Sequence, residues 1–446
     1  MEHKSNGRDS LKSPLLCQCC DVTNCFLLIA MSEVRQYTRG MSAPVRTRVT
    51  SPGSLEALRE RNRHRLVSAL RSDGALSRAE MARRTGLSRS TVSTVVADLV
   101  REGLVQEAGE ARTSGTTGGR PATPLTLNPA TGAVLAVDLA PDLLTVAAFD
   151  LGHRELGIAE HPFDARGESL DACIDQIERG VTDLLAATTL SHETLIGVVI
   201  AIPAPVEETS RRVGHESVIG GIVGTALEAR VHERLGLPVR LENDANLSAL
   251  AERAWGAAAG HRDAVYVELS HGIGAGLIID GRLHRGPNGT AGEIGHIPIA
   301  ADGEMCRCGN RGCLELLAGT DAITQLVAGR FESRPDIQRV IARADAGDPM
   351  CRRALRDAGS RIGVVLGQIC NVLNPTIIVI GGELARGWSI LEPSLREAID
   401  RSAIQPAIRD LVLSPSALGP RGRLLGGLAL ILDDPIRFPL RPRQAL

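Results

Sequence analysis

Residues 292–315 constrain this chain more than any other stretch, reading Gly-Glu-Ile-Gly-His-Ile-Pro-Ile-Ala-Ala-Asp-Gly-Glu-Met-Cys-Arg-Cys-Gly-Asn-Arg-Gly-Cys-Leu-Glu. Cys306, Cys308 and Cys313 gather three thiols in a turn-rich segment with Gly309 and Gly312, and His296 stands just upstream. Three reduced cysteines can act as small buried apolar side chains. Glycines between them make a poor core, however, whereas a tetrahedral metal needs tight turns between its ligands. The segment reads as a structural Cys3His zinc site with His296, Cys306, Cys308 and Cys313 as ligands.

Glu293-Ile294-Gly295-His296 followed by Cys-x-Cys-Gly-x-x-Gly-Cys-Leu-Glu closely resembles the signature of the ROK family, which groups bacterial repressors, open reading frames and sugar kinases. That resemblance covers nearly everything from Ser54 to about Asp434. It implies an α/β chain: an N-terminal winged helix-turn-helix, then a two-lobed actin-like (ribonuclease-H-like) module of sugar-kinase type.

A chain of 446 residues exceeds one ordinary core, so two or three domains are expected. Its longest wholly apolar run near the start, Phe26 to Met31, is too short to span a bilayer or form a signal-peptide core, which implies no membrane partner and a cytoplasmic protein. Cys17, Cys19, Cys20 and Cys25 crowd the first fifty residues. No histidine or second cysteine pair stands at useful spacing from them, and three of the remaining six cysteines belong to the proposed metal, so a reducing compartment fits better than disulfides. Residues 1–53 lack any period and are expected to be a disordered extension, or else Met31 or Met41 is the true start.

Residues 54–127 read as the winged helix. Leu55, Leu58, Leu66, Val67 and Leu70 mark a first helix with an arginine-rich opposite face. Ser77 and Glu80 form a capping box for a second helix, Thr85-Gly86-Leu87 turns, and Ser88 caps a third. Val92, Val95, Val96, Leu99 and Val100 make that third helix's apolar stripe, leaving Arg89, Ser90, Thr91, Ser93 and Thr94 for phosphates and base edges in a major groove. Leu104 and Val105 start a strand, Pro124 to Leu127 return, and Arg120 sits in a Gly/Pro tip suited to a minor groove. Between Ser54 and Pro121 twelve arginines face eight acidic residues, an excess of four positive charges in a chain of formal charge -2. Such segregation points to nucleic acid rather than to a solvated helical bundle.

The remainder divides into a first lobe, 128–245, and a second lobe with the zinc loop, 246–446. Apolar runs 133–139 and 143–149 should pair as a hairpin, 170–187 should be helical, and 196–202 and 376–380 read as strands buried on both faces. Gly272-Ile273-Gly274-Ala275-Gly276 reads as a glycine turn between strands, and a helix around Leu424 to Leu432 closes the chain.

Carried over residue by residue, the resemblance implicates Asn243, Asp244, Glu293, His296 and Glu315 in holding a hexose. Carboxylates and an amide suit adjacent hydroxyls that both donate and accept. Asp244 is also placed to cap the helix that follows, and it matches the general base of family kinases, here a vestigial base candidate. Family kinases carry Asp-x-Gly-Gly-Thr in the first hairpin, whereas this chain has Asp138-Leu139-Ala140-Pro141-Asp142. Pro141 has no N–H to offer a phosphate, and one like-charge contact at about 4 Å costs roughly 4 kcal/mol at an effective dielectric of about 20. Ser270-His271-Gly272 and Pro203-Ala204 depart from the family's Gly-Thr-Gly and Pro-Gly in the same sense, and 213–225 lacks the Asn and Trp expected near the sugar.

The expectation is therefore a non-catalytic, sugar-responsive repressor of carbohydrate genes. Its partners would be a palindromic double-stranded operator, a small sugar effector, and further copies of itself in a homodimer or tetramer. A sugar kinase retaining a DNA-binding head is the alternative, and a zinc-dependent scaffold that binds no DNA is a third.

Overall fold

The computed structural model describes residues 55–108, 123–164, 167–214, 219–434 and 438. The extension 1–53 with its cysteines, and the wing tip with Arg120, lie outside the described residues.

Helices α1 (Leu55–Asp73), α2 (Arg78–Thr85) and α3 (Arg89–Arg101) are followed by an antiparallel ribbon, β1 (Val105–Glu107) with β2 (Leu125–Leu127). Local chemistry sets the starts of α2 and α3. Ser77 accepts from the Glu80 N–H while the Glu80 carboxylate accepts from the Ser77 N–H at 2.8 Å, the full capping box. Gly86 ends α2 at φ 69°, a left-handed turn that glycine adopts without strain, and Ser88 accepts from the Thr91 N–H at 3.1 Å to start α3. Leu66, Val67, Met81, Val92, Val96 and Leu99 are completely buried, each contributing roughly 1.5–3 kcal/mol. The apolar stripes are narrower than the sequence suggests: Leu58 and Val100 stay 46% and 40% exposed. At 3.6 residues per turn Val100 points about 80° away from Val92, at the margin of the buried face.

Two five-stranded sheets share one plan. The first runs β5 (Glu155–Pro162), β4 (Leu143–Asp150), β3 (Ala133–Leu139), β6 (Leu195–Ile202), β7 (Val239–Asn243), with α4 (Leu170–Ala187) and α5 (Leu227–Leu235) in its connections. The second runs β10 (Arg282–His284), β9 (Ile273–Ile279), β8 (Ala264–Leu269), β11 (Ile377–Gly381), β12 (Val412–Pro415). In each, three strands pair antiparallel and two more add in parallel beside the first strand of the three. This repeat is the two-lobed, ribonuclease-H-like architecture. Buried on both faces, β6 and β11 read as continuous apolar runs.

After the first sheet, α6 (Asp244–Trp255) packs against β8 and β9 of the second. The second lobe adds α7 (Leu314–Ala318), α8 (Thr320–Val327), α9 (Ile337–Asp345), α10 (Pro349–Leu373), α11 (Trp388–Ser402) and the short α12 (Gln405–Ile408). The last described helix, α13 (Gly422–Asp433), returns to β3 and β6 of the first sheet and lies against α6. These exchanged helices correct the reading of the glycine run: 273–276 is strand, not turn. A Cβ on Gly276 would meet Ala245 O at 2.5 Å, so that glycine admits α6 rather than an anion. The buried side chains form three clusters. Two belong to the outer layers of the lobes, and the third joins α6 and α13 to the core of the winged helix. No helix among the described residues is long and apolar enough to cross a membrane.

Candidate functional site

The four residues read as metal ligands come together. One donor atom from each of His296, Cys306, Cys308 and Cys313 lies within 4.8 Å of all the others, forming a cluster that could hold a metal ion. Tight turns do this: the Gly309 N–H donates to Cys306 O at 2.9 Å, the Cys306 N–H to Asn310 O at 2.7 Å, and Cys313 opens α7. Gly312, at φ 60°, is required because a Cβ there would meet Ala300 O at 1.8 Å. The spacing fits a small tetrahedral cation. Metal–sulfur and metal–nitrogen bonds of about 2.3 and 2.05 Å place neighbouring ligands ~3.8 Å (S to S) and ~3.6 Å (S to N) apart. Cys308 Sγ to Cys313 Sγ is 3.7 Å and Cys306 Sγ to His296 Nδ1 is 3.5 Å.

Beside the cluster, the cleft between the lobes encloses about 130 Å³, and its walls include Asn243, Asp244, Glu293 and Glu315. His296 is not part of this wall. With Nδ1 turned to the thiols, its Nε2 faces the Glu293 carboxylate at 4.0 Å, and Glu293 in turn faces the cleft. Glu315 accepts from the Ile273 N–H at 3.3 Å and pairs with Arg307 at 3.2 Å.

The helix cap at this site is Asn243, not Asp244. Asn243 Oδ1 accepts from the Asn246 N–H at 3.0 Å, and its Nδ2 donates to Ala204 O at 3.3 Å. The carboxylate of Asp244, the first residue of α6, accepts the Ala245 N–H at 2.8 Å through one oxygen, and its other oxygen takes no hydrogen bond among the described contacts. Burial, reinforced by the Glu268 and Asp138 carboxylates and opposed by Arg423, pushes its carboxyl up to about 7.

Arg423 and Glu268 were missed by the sequence reading, which placed Asp138 only in the altered phosphate turn. The Arg423 guanidinium donates to Asp138 at 3.2 Å and to Glu268 at 3.0 Å, joining a strand of the first sheet to a strand of the second. Tyr266 and Ser270 donate further hydrogen bonds to Glu268, at 2.7 and 2.6 Å. The turn that would cradle phosphate in a kinase also lines the cleft. In it the Ala140 N–H is taken by Leu143 O at 3.0 Å, and Pro141 has none.

On α3, Arg89, Ser90, Ser93 and Thr94 are exposed and Thr91 is half-buried. Ser90 and Thr91 bond the Ser88 hydroxyl at 2.9 and 2.8 Å, and Thr94 donates to Ser90 O at 3.1 Å. Part of the positive charge is paired internally, Arg63 with Glu102 and Arg84 with Asp73, while Arg61, Arg65, Arg78 and Arg83 remain exposed.

Residues 147–434 match the model of the ROK family, and residues 59–106 match a winged helix-turn-helix DNA-binding model. The chain belongs to the ROK family. It is 30% identical over 374 residues to the xylose repressor of Bacillus subtilis strain 168, covering 83% of this chain and 95% of that one. It is 27% identical over 392 residues to the N-acetylglucosamine repressor of Escherichia coli O6:H1, covering 85% and 94%. Among solved structures, a ROK family transcriptional regulator described as a homologue of the E. coli MLC protein superposes with a TM-score of 0.73 at 26% identity, covering 86% of this chain and 98% of that one.

Proposed function

We propose that this ROK protein is a zinc-bearing, sugar-responsive repressor of carbohydrate genes that acts in the cytoplasm without phosphorylating its ligand. Residues 54–127 would hold operator DNA, with Arg89, Ser90, Thr91, Ser93, Thr94 and Arg120 as contacts. Lobes 128–245 and 246–446 would close on a monosaccharide. Asn243, Asp244, Glu293 and Glu315 would bond its hydroxyls, with the zinc fixing the ring of His296 and thereby the stance of Glu293. The second carboxylate oxygen of Asp244 would accept a hydrogen bond from a sugar hydroxyl. Two copies on a palindromic operator, as a dimer or half of a tetramer, match the symmetry of winged-helix sites. Zinc itself would supply only rigidity, since all four positions around it are filled by side chains.

One observation carries the non-enzymatic part of this reading: the turn 139–142 lines the cleft with a proline and a carboxylate where phosphate needs free N–H groups. The kinase alternative keeps one observation of its own, because a carboxyl near 7 suits a general base. An ATP-coupled assay with D-xylose, D-glucose and N-acetylglucosamine separates the two. No turnover, together with a melting temperature raised by one of these sugars, supports the repressor. Turnover abolished by Asp244→Asn supports the kinase and overturns the proposal.

A further inference from the structure

Helix α13 touches both ends of the proposed regulatory path. Near its start, Arg423 bridges Asp138 on β3 and Glu268 on β8, one carboxylate from each lobe. Asp433 at its other end pairs with Arg71 of α1 and with Arg253 of α6, the latter at 2.7 Å. Arg71 also donates to Ala429 O at 3.2 Å, and Ser68 donates to Asp433 at 3.5 Å. The Arg71 side chain is 3% exposed. An acid in the last turn of a helix opposes the helix dipole, so Asp433 is stabilised there by its two arginines and not by its position.

Between these ends the helix has little room to flex. A Cβ on Gly426 would meet Leu247 O at 2.0 Å, and one on Gly427 would meet Val199 and Ala136 at 3.1 and 3.2 Å. Ten residues at ~1.5 Å rise separate the two charged ends by about 15 Å. The apolar cluster that holds α13 is continuous with the core of the winged helix. A shift of one lobe against the other changes the geometry of Arg423 first, and a stiff helix cannot absorb that change along its length.

We propose that Arg423 is the positioning residue for the sugar response: it senses the separation of the lobes through Asp138 and Glu268 and passes it along α13 to Asp433 and Arg71 of the DNA-binding head. This rests on the reading of the chain as a sugar-responsive repressor. It assigns to α13 the two-state coupling that such a response requires.

Hydrogen exchange on the full chain without any sugar tests the coupling. Arg423→Met is expected to speed exchange of the α1 amides of residues 62–71 by about tenfold, a local opening that leaves the outer helix α10 at its wild-type rate. Arg423→Lys should restore most of the protection. Asp433→Asn should free the same α1 amides while leaving the cleft segments 139–142 and 270–274 unchanged. If Arg423→Met alters the cleft but not α1, the proposal is overturned. Should that variant not fold, Glu268→Gln, which keeps the guanidinium paired with Asp138, carries the same expectation and the same refutation. A second arm titrates D-xylose and N-acetylglucosamine calorimetrically and then against operator binding. Asp433→Asn should keep the wild-type sugar affinity and lose the change in operator affinity; an undiminished change counts against the coupling. Absence of any sugar binding with transmission intact in the exchange experiment rejects the sugar reading and leaves the coupling standing.

Discussion

Asp244→Asn sets stability against ligand binding within one residue. In the unfolded chain this carboxyl ionises near 3.8, whereas in the folded cleft burial and the neighbouring Glu268 and Asp138 push it up to about 7. A folded-state value above the unfolded one means that folding takes up a proton between those limits, so this group's contribution is complete below pH 3.8 and is lost as pH rises through 7. Three pH units at about 1.36 kcal/mol each set a ceiling of about 4 kcal/mol. Asparagine keeps the oxygen that accepts the Ala245 N–H and cannot ionise. Denaturant unfolding from pH 4 to pH 8 should therefore show wild type and Asp244→Asn nearly equal at the acid end, with the variant pulling ahead as pH rises. The same variant should bind sugar about ten- to a hundredfold more weakly, since a hydrogen bond to a charged group contributes about 1.5–3 kcal/mol. A stability difference that stays flat across this range, or that favours wild type at pH 8, refutes the reasoning.

Cys308→Ser removes one of four clustered donors, and elemental analysis should find zinc reduced from one equivalent per chain, together with a lower melting temperature. Gly312→Ala drives a Cβ against Ala300 O at a left-handed φ, and should cost about 3 kcal/mol or more in denaturant unfolding. Arg89→Ala should weaken operator binding across all sequences and lower the slope of log affinity against log salt by about one, with calorimetric sugar affinity unchanged.

What was legible in the sequence follows the range of the interactions. The four clustered donors His296, Cys306, Cys308 and Cys313 span eighteen residues with turn glycines between them, so spacing alone pointed to their cluster, and the capping box at Ser77 and Glu80 was equally local. Arg423 escaped because its partners lie 285 and 155 positions away in sequence, on a helix that otherwise reads as plain apolar packing. The run 272–276 was misread for a related reason. A glycine that admits a neighbouring helix and a glycine that cradles an anion are the same letter, and only the contact between Gly276 and Ala245 distinguishes them. Edge strands β5, β10 and β12 escaped as well, being short or half-exposed and carrying a weak alternation.

Fluorescence anisotropy of a labelled duplex from the region upstream of this protein's gene, at fixed salt and without nucleotide, tests the central claim most directly. Binding that falls by fivefold or more, on the order of 1 kcal/mol of coupling, as D-xylose or N-acetylglucosamine is added is the predicted result. Binding that ignores every sugar in the absence of ATP, or that changes only as a sugar phosphate is produced, would contradict it.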